Sequence, residues 1–187
     1  MINFLKLALV GLISSLFLVA CGSNQPTPEM QGSNLYSQVN FWYEKDKSLA
    51  TNYQRGSLVP INTEIKVISY SSKLLTFQII PTGKIIHIVN VPKYTNLETP
   101  ELFHRYFAKT KVNTSKYSKN TQKAIASGNV VKGMTKKEVL ISRGFPPAHV
   151  TNIEHDNTWK YWQNRFVTRN VVFDNDKVSS LVGWGAQ

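Results

Sequence analysis

The sequence predicts an α+β protein made of a small β domain followed by a domain of two helices and three antiparallel strands. Short apolar segments with strand periodicity fill residues 35–92. Three segments between residues 96 and 144 carry the capping residues or apolar spacing of helices, and three strand-like segments follow at 157–184. The 187 residues suffice for one medium domain or two small ones, and the change of pattern near Leu97 favours two.

The first 20 residues have the composition of a secretory signal peptide. Lys6 is the only charged residue before Glu29, and residues 7–20, LALVGLISSLFLVA, form an apolar stretch too short for a comfortable membrane span. Residues 18–21, LVAC, resemble the bacterial lipobox, in which the cysteine is acylated and the preceding peptide is removed. An ordinary secretory signal with a chance cysteine and an uncleaved N-terminal anchor are the alternatives.

The lipobox resemblance implies a covalently attached lipid, N-acyl and S-diacylglycerol (palmitate), on Cys21, and no other cofactor is expected. Cys21 is the one cysteine of the chain, so no disulfide can form within it. Several acyl chains make a stable anchor. Gly22 stands where many Gram-negative lipoproteins carry the aspartate of inner-membrane retention, which implies an outer-membrane anchor with the folded domains in the periplasm. Residues 21–34 are polar and rich in Gly, Pro, Ser and Asn, and are predicted to be a flexible tether.

Residues 35–95 are predicted to form the β domain. The segments KLLTFQII and KIIHIVNV flank PTGK, which is typical of a hairpin turn. Alternation places the following residues on one face of each of two neighbouring strands: Ile65, Val67 and Ser69, and Leu75, Phe77 and Ile79. Four or five such short strands favour a small closed barrel. The segment YQRGSLVPINTEIKV looks like the start of the SH3-like barrels of bacterial envelope proteins.

A helical connection is predicted over residues 96–127. Its first helix covers ETPELFHRYFAKTK, with Thr99 as the cap and the lysines at the C-terminal end. Apolar residues at helical spacing predict one buried stripe, formed by Leu102, Phe103, Tyr106 and Phe107. A second, basic helix is predicted from Lys116 to Ser127, ended by Gly128.

Residues 128–187 are predicted to complete the second domain, whose first helix lies within 114–127. Thr135 and Glu138 have the spacing of a capping box at the start of a short helix, which Gly144 ends. Three strand segments follow, NTWKYWQ, FVTRNVVFD and KVSSLVGW, and the turn DNDK joins the last two. Alternation puts the two aromatic residues of the WKY triplet on one face and the next tryptophan on the other.

This order of elements resembles the SmpA/OmlA (BamE-like) family of outer-membrane lipoproteins over about residues 120–184. The matching residues are Gly133-Met134-Thr135, Glu138-Val139, Gly144, Pro146, Trp159, Tyr161, Val172-Phe173 and Val178. The resemblance implies a periplasmic αα-βββ module that supports assembly of β-barrel proteins as an accessory subunit and is associated with anionic phospholipid. The β domain ahead of the module departs from the family pattern.

Positive charge is concentrated in one part of the chain. The formal net charge is +11, and residues 105–143 hold ten basic residues against Glu138 alone. In the compartment that the lipobox implies, anionic lipid headgroups or acidic protein surfaces are better partners than nucleic acid, and a merely solvated lysine face is the alternative. The predicted partner or lipid contacts are Lys109, Lys111, Lys116, Lys119 and Lys123, joined by Trp162, Arg165 and Arg169 at the hairpin WKYWQNRF. For Trp162 the equal alternative is a second layer of core beneath the β domain.

The sequence carries no recognisable catalytic or metal-binding motif, so a non-catalytic protein is predicted. The four histidines are scattered, and the cluster 154–156, EHD, is predicted to be a solvated loop. The leading hypothesis is an accessory or scaffold subunit of an envelope complex, first of all for outer-membrane β-barrel protein assembly. The alternatives are a structural lipoprotein of a secretion-system core complex, a peptidoglycan-contacting protein using Trp42, Tyr43 and Tyr53, and a hydrolase.

Overall fold

The computed structural model describes residues 24–31 and 35–184, so the predicted signal segment 1–20 and Cys21 lie outside the described residues. In this part of the chain the predicted α+β class is confirmed, with mostly strands and four short helices. The strands are β1 (Leu35–Ser37), β2 (Phe41–Tyr43), β3 (Lys47–Leu49), β4 (Ser57–Val59), β5 (Glu64–Tyr70), β6 (Leu74–Ile79), β7 (Ile85–Val89), β8 (Phe107–Ala108), β9 (Thr158–Trp162), β10 (Thr168–Asp174) and β11 (Lys177–Val182). The helices are α1 (Pro92–Thr95), α2 (Thr99–Tyr106), α3 (Lys119–Ser127) and α4 (Lys136–Arg143).

Six strands form one sheet that curls into a half-barrel, in the order β3-β7-β6-β5-β1-β8. Neighbouring strands are antiparallel, apart from the parallel pair of β3 and β7. Strands β2 and β4 pair with each other and form a separate two-stranded sheet. Because β2 and β4 do not join the larger sheet, it keeps two edges, β3 and β8, among the described strands, where the sequence predicted a closed barrel.

The predicted hairpin of β6 and β7 is present, and its inward face is the predicted one. Gly83 lies in the turn at φ +70°, a left-handed conformation that glycine adopts without strain. Leu75 and Phe77 are fully buried and Ile79 is nearly so. Phe77 meets Phe41 of β2 edge-on, with ring centroids 6.0 Å apart, so the two sheets share one core. This first core consists mainly of aliphatic and aromatic residues from β1 to β8.

A β-bulge in β5 changes the face that its last residues present. The pairing with β6 shifts between Val67 and Ser69. The prediction placed Ser69 on the inward face with Val67, but the extra residue reverses the alternation, so Tyr70 packs against the first core instead. Ile68, at the bulge, is 42% exposed.

The segment predicted as a flexible tether, 21–34, is docked on the β-sheet over residues 24–31. The Asn24 N–H donates to the Tyr70 carbonyl at 2.6 Å, and the Tyr70 N–H donates to the Asn24 carbonyl at 3.2 Å. Met30 is only 2% exposed and belongs to the first core. The segment was predicted to be a tether because its composition is polar. The burial of one apolar side chain, Met30, stabilises its docking on the sheet.

The start of α2 corrects the predicted cap. Thr99 is the first helical residue, and Glu98 precedes it as the N-cap. The Glu98 N–H donates to Glu101 Oε2 at 2.8 Å, while the Thr99 hydroxyl donates to the Ser72 carbonyl at 3.0 Å. Thr99 is fully buried, and its hydroxyl is engaged by a residue distant in sequence and does not cap the helix.

The end of α2 also differs from the prediction. The helix stops at Tyr106, because Phe107 and Ala108 extend into β8 and pair with β1. The predicted buried stripe is confirmed and belongs to the first core: Leu102, Phe103, Tyr106 and Phe107. Helix α2 therefore packs with the β domain, and the predicted connection 96–127 divides between the two cores. We call residues 35–108 the first unit and residues 119–184 the second unit.

Helices α3 and α4 follow from local signals. Helix α3 begins at Lys119, and not at Lys116 as predicted, because Ser118 Oγ caps it by accepting from the Thr121 N–H at 3.1 Å. Gly128 ends this helix at φ +70°, as predicted. The capping box of α4 is confirmed. The Thr135 N–H donates to Glu138 Oε2 at 2.6 Å, and the Glu138 N–H donates to Thr135 Oγ1 at 3.3 Å.

Removing the cap of α4 should cost measurable stability. The Thr135→Ala variant leaves the Glu138 N–H without the Thr135 Oγ1 acceptor. We expect the free energy of unfolding to fall by about 0.5–2 kcal/mol, measured by urea denaturation. Thr110→Ala is the control, because Thr110 is exposed and outside the helices. Equal stability of the two variants would mean that this hydroxyl does not hold the helix start.

The second core lies between α3, α4 and a three-stranded antiparallel sheet in the order β11-β10-β9. Trp159 and Tyr161 are fully buried on its inner face, as alternation predicted. The predicted turn between β10 and β11 is confirmed, with Asn175 and Asp176 at φ 48° and 59°, a conformation in which these residue types are enriched. Among the residues described, no helix is long and apolar enough to span a bilayer.

Candidate functional site

Side-chain amides of the first unit bond the helix ends of the second unit. Asn40 is fully buried, and its Nδ2 donates to the carbonyls of Ile125 at 2.6 Å and Ser142 at 3.0 Å. Its Oδ1 accepts from the Ile61 N–H at 2.7 Å. The two carbonyls belong to the last turns of α3 and α4, where carbonyls lack the usual N–H partner four residues on; that of Ile125 also accepts from the Gly128 N–H at 3.1 Å. Asn40 therefore acts as a C-terminal cap supplied from another unit.

Two further amides complete this contact. Asn52 Nδ2 donates to the Arg143 carbonyl and, at 3.2 Å, to the Phe145 carbonyl, and Gln54 Nε2 lies 3.4 Å from the same Arg143 carbonyl. Asn52 has a positive φ of 58°, which asparagine tolerates better than most residues. We call Asn40, Asn52 and Gln54 the amide joint. It fixes the end of α4 against the first unit and so positions the surface between them.

A groove of about 560 Å³ lies at this junction. Helix α2, β8 and the loop before α3 form one side, and α4 with Phe145, two residues after its end, forms the other. Apolar side chains contribute much of the lining: Val39, Ala108, Val112, Leu140, Ile141 and Phe145. Basic side chains also line it, His104, Arg105, Lys116 and Lys137, together with Gln38, Asn113 and Tyr117. His104 Nε2 lies 3.1 Å from the Glu29 carboxylate, which is outside the lining. Among the described residues that line the groove there is no carboxylate.

Arg105 is half-buried, whereas His104, Lys116 and Lys137 are exposed. Its guanidinium carbon lies 4.8 Å from the centre of the Phe145 ring, a cation–π contact that holds it in place. Burial lowers the pKa of Arg105, while Tyr106 and Glu101 act in the opposite direction. A guanidinium remains protonated at neutral pH, so the groove combines fixed positive charge with apolar surface. Such a surface can bind an acidic segment that also carries apolar side chains.

The five predicted contact lysines are all exposed, but the structure does not bring them together. Lys116 lines the groove, whereas Lys109 borders a smaller cleft beside α2 and Glu29. Lys111 lies 4.8 Å over the Tyr36 ring on the first unit. Lys119 and Lys123 project from α3 and are outside the groove lining. The basic segment is therefore spread over several surfaces.

The three predicted contacts at the hairpin of β9 and β10 have different surroundings. Trp162 packs between the units, because its ring stacks on Tyr53 at 6.3 Å with an interplanar angle of 13°. Arg165 is exposed and lies 4.4 Å from the ring of Phe166, which is 78% exposed. Arg169 is half-buried, 5.2 Å from the Trp184 ring. Of the two interpretations of Trp162 that the sequence left open, the packed one agrees with its position.

Two of the three residues predicted for peptidoglycan contact share a cleft. Trp42 and Tyr53 line a space of about 490 Å³ together with charged residues of the β2–β3 turn. Tyr43 is outside that lining, and Lys84 Nζ covers its ring at 4.5 Å. Arg55 Nη2 and Glu44 Oε1 form an ion pair at 2.7 Å on the rim. The cleft offers aromatic faces beside polar groups.

The described residues include no cluster suited to metal binding. No group of three His, Cys, Asp or Glu side chains lies close enough to hold a metal ion within residues 24–31 and 35–184. In the EHD sequence, Glu154 and His155 are exposed, as predicted for a solvated loop. The Asp156 carboxylate accepts from the Asn152 N–H at 2.8 Å and serves the local turn.

Comparison with known proteins returned no match: no family model, no curated protein and no solved structure is similar to this chain.

Sequence reasoning missed most of the groove. Arg105 and Lys137 were counted only in the total charge of the segment, and no local pattern relates them, because they come from α2 and α4. The amide joint was missed for the same reason, since Asn40 and Asn52 lie in short connections between strands. An isolated Asn-Phe pair, as at 40–41, carries no signal that its amide will reach two helices 85 and 102 residues away.

Proposed function

We propose that this protein is a non-catalytic accessory or scaffold subunit of an envelope complex, anchored to the outer membrane by lipid on Cys21. The observation that carries the proposal is the groove at the junction of the units. Its lining combines basic and apolar side chains, and its described lining residues include no carboxylate. Charge complementarity selects an acidic, partly apolar protein segment as its occupant. The lipobox-like LVAC segment supports the location, with the folded units in the periplasm and the anchor in the inner leaflet.

We further propose that the first unit is SH3-like and the second BamE-like. The half-barrel with its short strands supports the first assignment. Two capped helices followed by a three-stranded antiparallel sheet support the second, in the order αα-βββ. On this basis outer-membrane β-barrel protein assembly is the first candidate process. The additional first unit favours the alternative of a structural lipoprotein in a secretion-system core complex.

Peptidoglycan contact is a second candidate function, favoured by one observation. Trp42 and Tyr53 face a common cleft whose remaining lining is polar or charged apart from Leu49. Aromatic faces beside polar groups suit a sugar ring, which has apolar faces and polar edges. Sedimentation with isolated cell wall tests it: binding by the wild type and loss in Trp42→Ala would support the candidate.

The proposed function is tested by chemical crosslinking in intact envelopes, detergent solubilisation, capture of the full chain, and mass spectrometry. Recovery of the barrel-assembly machinery would support the first candidate process. Recovery of secretion-channel subunits would support the structural alternative. Capture of the protein without any stoichiometric envelope partner would contradict the scaffold role, and hydrolytic activity of the purified chain would contradict the non-catalytic one.

A further inference from the structure

Arg143, the last residue of α4, is a buried cation at the junction of the units. The residue is only 4% exposed. The guanidinium carbon lies 4.8 Å from the ring centre of Trp42 in the first unit and 4.7 Å from that of Trp184 in the second. Its Nη1 donates to the Gly128 carbonyl at 2.5 Å. The two indoles therefore hold the guanidinium, and one carbonyl orients it.

The remaining donors of Arg143 have no acceptor among the described residues. Nε and Nη2 are both buried and unpaired. In a guanidinium these two groups form one edge, with their N–H bonds pointing the same way, and that edge binds two oxygens of a single oxyanion. The free edge, Nε and Nη2, is therefore the one that makes bidentate contacts, while Nη1 donates to the Gly128 carbonyl.

A second unpaired donor of the same charge lies nearby. Arg169 of β10 has a buried, unpaired Nε, and its guanidinium carbon is 5.2 Å from the same Trp184 ring. Burial lowers the pKa of Arg143 to about 9; Tyr161 acts in the opposite direction and Arg169 in the same one. Because this pKa is still above 7, Arg143 is protonated at neutral pH. No ion pair of either arginine is found among the described residues. A buried charge without a counter-charge is costly, and an anion would offset that cost.

We propose that the Nε/Nη2 edge of Arg143, assisted by Arg169, is a binding site for an oxyanion with two adjacent acceptor oxygens, a carboxylate or phosphate group. The indoles of Trp42 and Trp184 flank the guanidinium and leave its Nε/Nη2 edge unpaired. The site is distinct from the basic groove, whose lining includes neither arginine. It gives the junction a second, more specific anion contact.

The test is a titration of the purified full chain with acetate and, separately, with phosphate, each against chloride at equal ionic strength. The readouts are tryptophan emission, because two indoles touch Arg143, and the thermal midpoint, because a ligand that binds the folded state raises it. Saturable changes with either anion are expected. Saturation by acetate alone would assign a carboxylate ligand, such as an acidic side chain, and saturation by phosphate alone would assign a phosphoryl group.

The variant Arg143→Lys keeps the charge but lacks the two-donor edge, so we expect binding at least roughly tenfold weaker. Arg165→Lys is the matched control, since Arg165 is an exposed arginine in the loop before β10, and its binding should be unchanged. The wild-type titration against chloride stands even where Arg143→Lys does not fold. Absence of a saturable change with both anions, or equal affinity of Arg143→Lys and wild type, would overturn the proposal and leave water as the partner of this edge.

Discussion

The Asn40→Ala variant should lower the free energy of unfolding by about 2–5 kcal/mol. The change removes the acceptor of the Ile61 N–H and the donor to the carbonyls of Ile125 and Ser142. The site is fully buried, so water cannot replace these partners without entering the junction. Each buried group left without a partner costs roughly 1–3 kcal/mol, although the Ile125 carbonyl also accepts from the Gly128 N–H and is affected least.

Urea denaturation followed by circular dichroism measures this effect. Asn120→Ala is the matched control, because Asn120 is an exposed asparagine on α3 and should change stability by no more than about 0.5 kcal/mol. A cooperative single transition in wild type that splits into two in Asn40→Ala would agree with the role of Asn40 between the units. A loss below about 0.5 kcal/mol would show that the amide joint does not hold them together.

The proposed lipid anchor predicts that the Cys21→Ala variant is lost from the outer membrane. Without the thiol no lipid can be attached, and the remaining signal segment is too short to serve as a comfortable membrane span. We therefore expect the variant either as a soluble periplasmic protein or as an unprocessed precursor that migrates as a longer chain. Membrane fractionation with immunoblotting measures the distribution, and metabolic labelling with palmitate measures the attachment.

Two controls make this result specific. Gln25→Ala lies four residues after the cysteine, is exposed, and should fractionate like the wild type. The thermal midpoint of any soluble Cys21→Ala protein should equal that of the wild type, since the role proposed for Cys21 is lipid attachment and not packing. Outer-membrane fractionation that does not change in Cys21→Ala would contradict the lipid anchor.

The elements that the sequence predicted correctly depend on neighbouring residues. The capping box of Thr135 and Glu138 closes within one helical turn, and the turn at Asn175 and Asp176 needs only residue types that accept positive φ. Gly128 likewise ends α3 by a local conformation. Each of these features is decided by a few consecutive residues, so their spacing in the sequence was sufficient.

The features that the sequence did not predict depend on distant contacts. Thr99 resembles a cap, but its hydroxyl bonds Ser72, 27 residues away. The polar segment around Met30 resembles a tether, but one buried methionine docks it on the first core. Phe107 continues the helical apolar spacing, yet pairing with β1 draws it into a strand. In each case tertiary contacts override a local preference.

Only the sign of the charge at the candidate site was predictable from the sequence. The excess of lysine and arginine in residues 105–143 indicated an anionic partner. Which of these side chains share a surface depends on how α2 and α4 meet, and that is set by the amide joint. Lys116 was therefore predicted, Lys137 was not, and Lys119 and Lys123 were predicted but lie outside the groove lining.

The most direct test of the groove as the partner site compares two charge-reversed variants in the crosslinked capture. Lys116→Glu with Lys137→Glu places two carboxylates in the groove, while Lys119→Glu with Lys123→Glu changes the net charge equally on exposed positions of α3 outside it. We expect the groove variant to recover its envelope partner at least roughly tenfold less than wild type, because like charges across an interface are strongly disfavoured. The α3 variant should recover it normally. Equal loss in both variants, or no loss in the groove variant at an unchanged thermal midpoint, would contradict the assignment.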